Sequence, residues 1–160
     1  MKVAEVINKF LELIGNPENK DVSEYVKLYN IVEQDLCSDY IYLYHTETFD
    51  CAMKPYNEFR YGAYRITKVE NHNYALRPDA IISTDGNNLG KVTYSIVSNC
   101  KTFEDESSYP DRYLKIIALG MCAEYCLAMG NYAEAKIWCD SYKHQLLGMF
   151  RDRREGIIVE

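Results

Sequence analysis

The chain has 160 residues, a hydrophobic fraction of 48% and a charged fraction of 26%, the proportions of one folded globular domain. A formal net charge of −6 argues against the basic surface by which proteins usually hold nucleic acid. No run nears the roughly 18 apolar residues of a membrane span, and the start MKVAEVINKF is amphipathic and carries an acid, unlike a secretory leader.

In chain order, Val3, Val6, Ile7, Phe10, Leu11 and Ile14 recur at helical spacing and predict a first amphipathic helix, stopped by Gly15-Asn16-Pro17. Asp21 reads as the cap of a second helix, with Glu24 three residues on as in a capping box. The stripe of that helix is Val22, Tyr25, Val26, Tyr29, Val32 and Leu36. The period then changes. Ile41–Thr46, Tyr64–Glu70, Tyr74–Pro78, Ala80–Thr84 and Lys91–Val97 are β-branched, aromatic or alternating and read as strands. DGNNLG, Asp85 to Gly90, reads as a hairpin connection.

Helical pattern returns at Pro110-Asp111. Tyr113 to Met129 is apolar on nearly every side, so it is expected to be the central, buried helix, with Gly120 admitting a close neighbour. Gly130 ends it. Asn131 and Glu134 cap a fourth helix with the stripe Ile137, Trp138, Tyr142, Leu146 and Phe150. Arg151, Arg153 and Arg154 suit the negative end of that helix's dipole, and Gly156 reads as its stop. The fold class expected is α+β, mainly α: two helical hairpins forming a bundle with an inserted small antiparallel β unit. The chain reads as a single domain, with an N-terminal hairpin over residues 1–39, the β insertion over 40–100, a C-terminal hairpin over 108–155 and a tail over 156–160.

The search for chemistry excludes more than it finds. Cys37, Cys51, Cys100, Cys122, Cys126 and Cys139 read as free thiols in a reducing compartment. Cys122, Cys126 and Cys139 could approach one another, but no CxxC pair or nearby histidine supports zinc. DGNNLG opens like a calcium loop, yet Leu89 and Ile96 stand at its fifth and twelfth positions, where oxygen ligands are needed. No nucleophile elbow, P-loop or dinucleotide fingerprint occurs. His45, His72 and His144 are scattered over a strand, a turn and a helix. Glu104, Asp105 and Glu106 read as a solvated acidic run. Arg60, Arg65, Lys68 and Arg77 lie in the tyrosine-rich β region and suggest a single-strand-binding platform, against which the net charge argues. The expectation is therefore no catalytic residue, cofactor or metal. The 15 tyrosines are the compositional outlier, suited either to core positions or to interfaces.

Three stretches carry a resemblance. VINKFLELIGN followed by a helix ending LYNIVEQDL, the segment YRITKVENHNYALRPDAIISTDGNNLGKVTYSIV, and YPDRYLKIIALGMCAEYCLAMGNYAEAKIWCDSYKHQLLGMFRDRRE together resemble the head-completion or adaptor proteins of tailed bacteriophages, of the tail tubular protein A-like kind. The resemblance covers nearly the whole chain in layout. It implies a virion structural protein at the head–tail junction, assembled in the host cytoplasm. It implies a homo-oligomeric ring, a dodecamer, that binds the portal and the tail or next ring protein and lets DNA pass without specific binding. It implies no cofactor and no membrane. A ring subunit needs two different faces for its neighbours, which abundant tyrosine suits.

LAMGNYAEAKIW, Leu127 to Trp138, also resembles half of a tetratricopeptide repeat, which would make the chain a peptide-binding helical adaptor. Such repeats need about three copies for a continuous core, and one is found. A small enzyme is the third reading. The final stretch divides at Gly156. Ile157, Ile158 and Val159 are β-prone and lack local partners, so with Arg151, Arg153 and Arg154 they form the candidate interface, and the tail is expected to dock on another chain, as a strand added to a sheet edge.

Overall fold

The computed structural model describes residues 1–17, 21–149 and 156–159. Its contacts divide the chain into two units, Met1–Leu36 with Ser98–Glu155 and Cys37–Val97 with Gly156–Glu160, where the sequence reads as one domain.

The first unit is helical. α1 (Val3–Ile14) buries Val3, Val6, Ile7 and Phe10, the stripe expected of it. It ends at Gly15, whose positive φ of 93° lets its N–H reach back to the Leu11 carbonyl. α2 (Val22–Asp35) starts under Asp21, whose carboxylate accepts from the Ser23 N–H at 3.1 Å. Glu24 does not close a capping box; it pairs with Lys27 instead. α3 (Leu114–Ala128) follows a short 3-10 turn, Asp111–Tyr113, and buries residues on every side, as its all-apolar sequence requires. It packs against α1, α2 and α4 (Tyr132–Met149). Asn131 and Glu134 cap α4 as expected, through the Asn131 amide donating to Glu134 at 2.8 Å and the Glu134 N–H donating back at 3.4 Å. Of the stripe expected on α4, Tyr142 and Leu146 are buried, but Ile137 is 65% exposed. Phe150 lies outside the described residues.

A polar cluster lies inside this unit. Glu33 of α2 is fully buried. One of its oxygens accepts from the Ser108 N–H at 2.8 Å and the other from the Ser98 hydroxyl at 2.9 Å. Tyr29 and Ser107 stand 2.6 Å apart beside the same carboxyl group, so one hydroxyl donates to the other and the second to Glu33. Burial, reinforced by Glu33, pushes the Tyr29 hydroxyl far above the usual phenol range, which keeps it a donor. The returning chain from Ser98 to Ser108 is thereby tied to α2 by polar bonds.

The second unit overturns the expectation of a mainly helical bundle with one small antiparallel insertion. Among the described residues it holds seven strands in two sheets. β1 (Leu43–Phe49), β3 (Ala63–Val69), β6 (Gly90–Ile96) and β7 (Ile157–Ile158) form one sheet in the order β3-β6-β1-β7. β2 (Met53–Pro55), β4 (Tyr74–Leu76) and β5 (Ala80–Ser83) form the other in the order β2-β5-β4. β1 and β7 run parallel, so the unit is not purely antiparallel either.

Two physical facts explain the difference. Neither β2 nor β7 has enough residues to show a period of two. And DGNNLG is not a hairpin turn, because β5 pairs with β2 and β4 while β6 pairs with β1 and β3. Asp85 organises that crossing. Its carboxylate accepts from the Ser83 hydroxyl at 2.6 Å, the Asn71 amide at 3.0 Å, the Asn87 N–H at 3.0 Å and the Asn73 amide at 3.1 Å. These bonds, Ser83 first, hold Asp85 well below the usual carboxylate range.

Candidate functional site

The four-stranded sheet has two unlike faces. One is packed: Leu43, His45 and Phe49 of β1 alternate inward with Val92, Tyr94 and Ile96 of β6. Phe59 sits against both Phe49 and Tyr94, with ring centroids 4.9 Å apart in each case. The Tyr94 hydroxyl donates to Glu47 at 2.6 Å, and the same carboxylate oxygen accepts from the Arg60 N–H at 3.1 Å.

The other face is open and polar. Lys68, Thr93 and Thr46 stand opposite one another across β3, β6 and β1, and Arg65, Ser95 and Tyr44 form the next row. Lys91 of β6 faces Thr48 of β1 beside them. The Thr46 and Thr93 hydroxyls are 2.8 Å apart, and Thr67 donates to the Thr93 carbonyl at 3.0 Å where β3 bulges. Lys68, Lys91, Thr46, Thr93, Glu70 and His72 line an open cleft of about 440 Å³ on this face. Among the described residues no carboxylate pairs with Arg65, Lys68 or Lys91. The Glu70 carboxylate is turned to the Lys91 backbone N–H, at 2.8 Å. The basic patch read from the sequence is thus redrawn. Arg65 and Lys68 belong to it, and Lys91 joins them from a strand distant in sequence. Arg65 stands at the edge of the patch, its guanidinium over the Tyr64 ring at 5.9 Å and outside the cleft lining, whereas Arg60 lies off this face, over the Tyr61 ring at 5.4 Å, and Arg77 sits in the β4–β5 turn.

The tail docks on the same sheet. The Ile157 N–H donates to the Tyr42 carbonyl at 2.9 Å and the Val159 N–H to the Tyr44 carbonyl at 2.6 Å. His45 Nδ1 lies 2.6 Å from the Val159 carbonyl and therefore carries the proton. Ile157 is half-buried and Ile158 is 79% exposed. The strand addition expected for this segment occurs on the chain's own β1. Arg151, Arg153 and Arg154 lie outside the described residues. A Cβ on Gly156 would overlap the Tyr44 ring, so the glycine is what lets the tail lie against β1. Gly156→Ala is expected to release the tail, read as faster amide exchange at Ile157 and Val159 with unchanged exchange in α3.

Among the described residues no group of three His, Cys, Asp or Glu side chains is placed to share a metal ion. Cys37, Cys122 and Cys126 are buried, Cys51 and Cys139 are half-buried and Cys100 is exposed. Burial pushes the Cys122 thiol up to about 12, with Cys126 and Glu134 adding to the shift. At pH 8 a water-soluble thiol reagent is expected to modify Cys100 and to leave Cys122 untouched until the protein unfolds. The unfolded thiol, with its ordinary value of 9.0, ionises before the folded one. The contribution of Cys122 to stability is therefore intact below pH 9 and is lost as pH rises from 9 towards 12.

No protein-family model matches the chain, and no curated protein matches it.

Proposed function

We propose that the chain is a virion structural protein of a tailed phage: one subunit of a head-to-tail connector ring that joins portal to tail and surrounds the DNA path. The layout resemblance supports this reading, and one structural observation carries it. The α3–α4 hairpin leaves Met129, Tyr132, Ile137 and Leu147 each more than 60% exposed on one supersecondary unit. Isolated apolar side chains on a surface are ordinary, but this many on one hairpin fit a surface that other protein covers. A ring subunit must present such surfaces to neighbours on either side, and tyrosine and methionine are enriched at interfaces of that kind.

The test is mass measurement of the purified chain by light scattering, with negative-stain imaging alone and with candidate portal and tail proteins. Rings, or specific attachment to a portal, are the expected result. A monomer that ignores portals and retains short peptides sinks the reading in favour of a tetratricopeptide-like adaptor, since the same hairpin contains LAMGNYAEAKIW.

A further inference from the structure

We infer that the open face of the four-stranded sheet is one half of a contact between copies of this chain, and that its occupant is the acidic run Glu104-Asp105-Glu106 of a second copy. This rests on the ring reading and gives it a specific interface.

Among the described residues, ion pairs between side chains are local, and the N-terminal ammonium pairs with Glu106 and Asp111. Lys9 pairs with Glu12, Lys27 with Glu24 and Lys54 with Glu58, each three or four residues away. Two groups of opposite sign are left out of that pattern. Arg65, Lys68 and Lys91 share one sheet face and pair with no carboxylate among the described residues. Glu104, Asp105 and Glu106 are consecutive and exposed; Glu106 meets the N-terminal ammonium at 3.3 Å, and Glu104 and Asp105 pair with no cation among the described residues.

The acidic run is also presented in a fixed form. The Asp105 carboxylate accepts from the Thr102 N–H at 2.6 Å, the Asp105 carbonyl accepts from the Val3 N–H, and the backbones of Lys2 and Glu106 form an antiparallel β-bridge. The sheet face offers ammonium groups together with the Thr46 and Thr93 hydroxyls, all of which can donate to carboxylates. A chain carrying both halves of a complementary pair on different surfaces makes a heterologous contact. Repeated from copy to copy, that contact closes into a ring or runs on as a filament. The acidic balance of the whole chain favours this occupant over a nucleic-acid strand.

Four full-length proteins test the inference: wild type, K68E/K91E, E104K/E106K, and the four-substitution chain with both swaps. Mass is followed against protein concentration at low and high salt, with circular dichroism to confirm that each protein is folded. Wild type is expected to self-associate at low salt and to dissociate at about 1 M salt. Each double variant is expected to associate at least about tenfold more weakly, and the four-substitution chain to recover much of the loss, because the charges again oppose. An equal mixture of the two double variants is expected to associate as well, in alternating copies, because the intact acidic run of K68E/K91E meets the intact basic face of E104K/E106K and the two altered surfaces carry opposite charge; no association in the mixture overturns the inference.

If wild type associates and K68E/K91E associates equally well, the inference is overturned while the ring reading stands on another face. If wild type stays monomeric at every concentration, both the inference and a ring that forms without a template are overturned. A single-stranded DNA probe supplies the last outcome. If it binds wild type and not K68E/K91E while the mass of both is the same, the occupant is a polyanion and the inference is wrong.

Discussion

Replacing Glu33 with alanine is expected to lower the unfolding free energy of the helical unit by about 2–4 kcal/mol, read as the loss of helical signal in urea. The Ser108 N–H is the reason. The Ser98 hydroxyl can turn to the Asn99 carbonyl at 3.3 Å or to Ser108, and Tyr29 retains Ser107. The half-buried Ser108 N–H is held in a fixed direction and, among the described residues, bonds to Glu33 alone. An orphaned buried donor costs about 1–3 kcal/mol, and the cavity left by the missing side chain adds to that. Glu33→Gln is expected to cost much less, about 1 kcal/mol. The glutamine oxygen can still accept from Ser108, and its amide can donate to the Ser98 hydroxyl, whose own proton then turns to the Asn99 carbonyl or to Ser108. If alanine proves no worse than glutamine, the hydrogen bond to Ser108 is not what ties the returning chain to α2.

This cluster was only half legible in the sequence. Glu33 stands four residues after Tyr29 and three before Leu36, within the edge of an apolar stripe. That placement is a signal of burial, but nothing local names its partners, because Ser98, Ser107 and Ser108 come from the far side of the β segments. The four helices were legible for the opposite reason. Their stripes, caps and stops lie within a few residues of one another: α1, α2, α3 and α4 begin, and α1 and α3 end, close to where those signals fall, while the last turn read for α4 lies outside the described residues.

The sheets show where local reading stops. The β-branched runs mark most of the strands, but strand identity does not fix strand partners. Turn chemistry at Asp85–Gly90 suggested that β5 and β6 pair, and the Asn71, Asn73 and Asp85 bonds instead carry the chain from one sheet to the other. The basic face was misdrawn in the same way. Arg60 and Arg77 are near Arg65 and Lys68 in sequence but belong to other surroundings, while Lys91 reaches them only through the β3–β6 register.

Gly120 is the second position with a large expected effect, and here two opposing terms decide the sign. Glycine inside a helix is about 1 kcal/mol worse than alanine, so an exposed Gly→Ala change would stabilise. At Gly120 a Cβ would stand 2.8 Å from Val32 Cγ1 of α2 and 3.1 Å from the Tyr142 ring of α4. Valine is stiff about its first side-chain torsion within a helix, so Val32 cannot swing clear without moving α2. Tyr142 is constrained too, since its hydroxyl donates to Asp35 at 3.3 Å. Overpacking of this kind costs about 1–3 kcal/mol, which outweighs the gain in helix propensity. Gly120→Ala is therefore expected to destabilise by about 1 kcal/mol and Gly120→Val by about 3 kcal/mol. The decisive measurement is a double-mutant cycle in urea. Val32→Ala alone creates a cavity and destabilises, but combined with Gly120→Ala it provides the space the new methyl needs. The pair should be less damaging than the sum of the two by at least about 0.5 kcal/mol. Strict additivity would mean that α2 and α3 do not approach each other through Gly120, and that the glycine serves the helix in some way other than space.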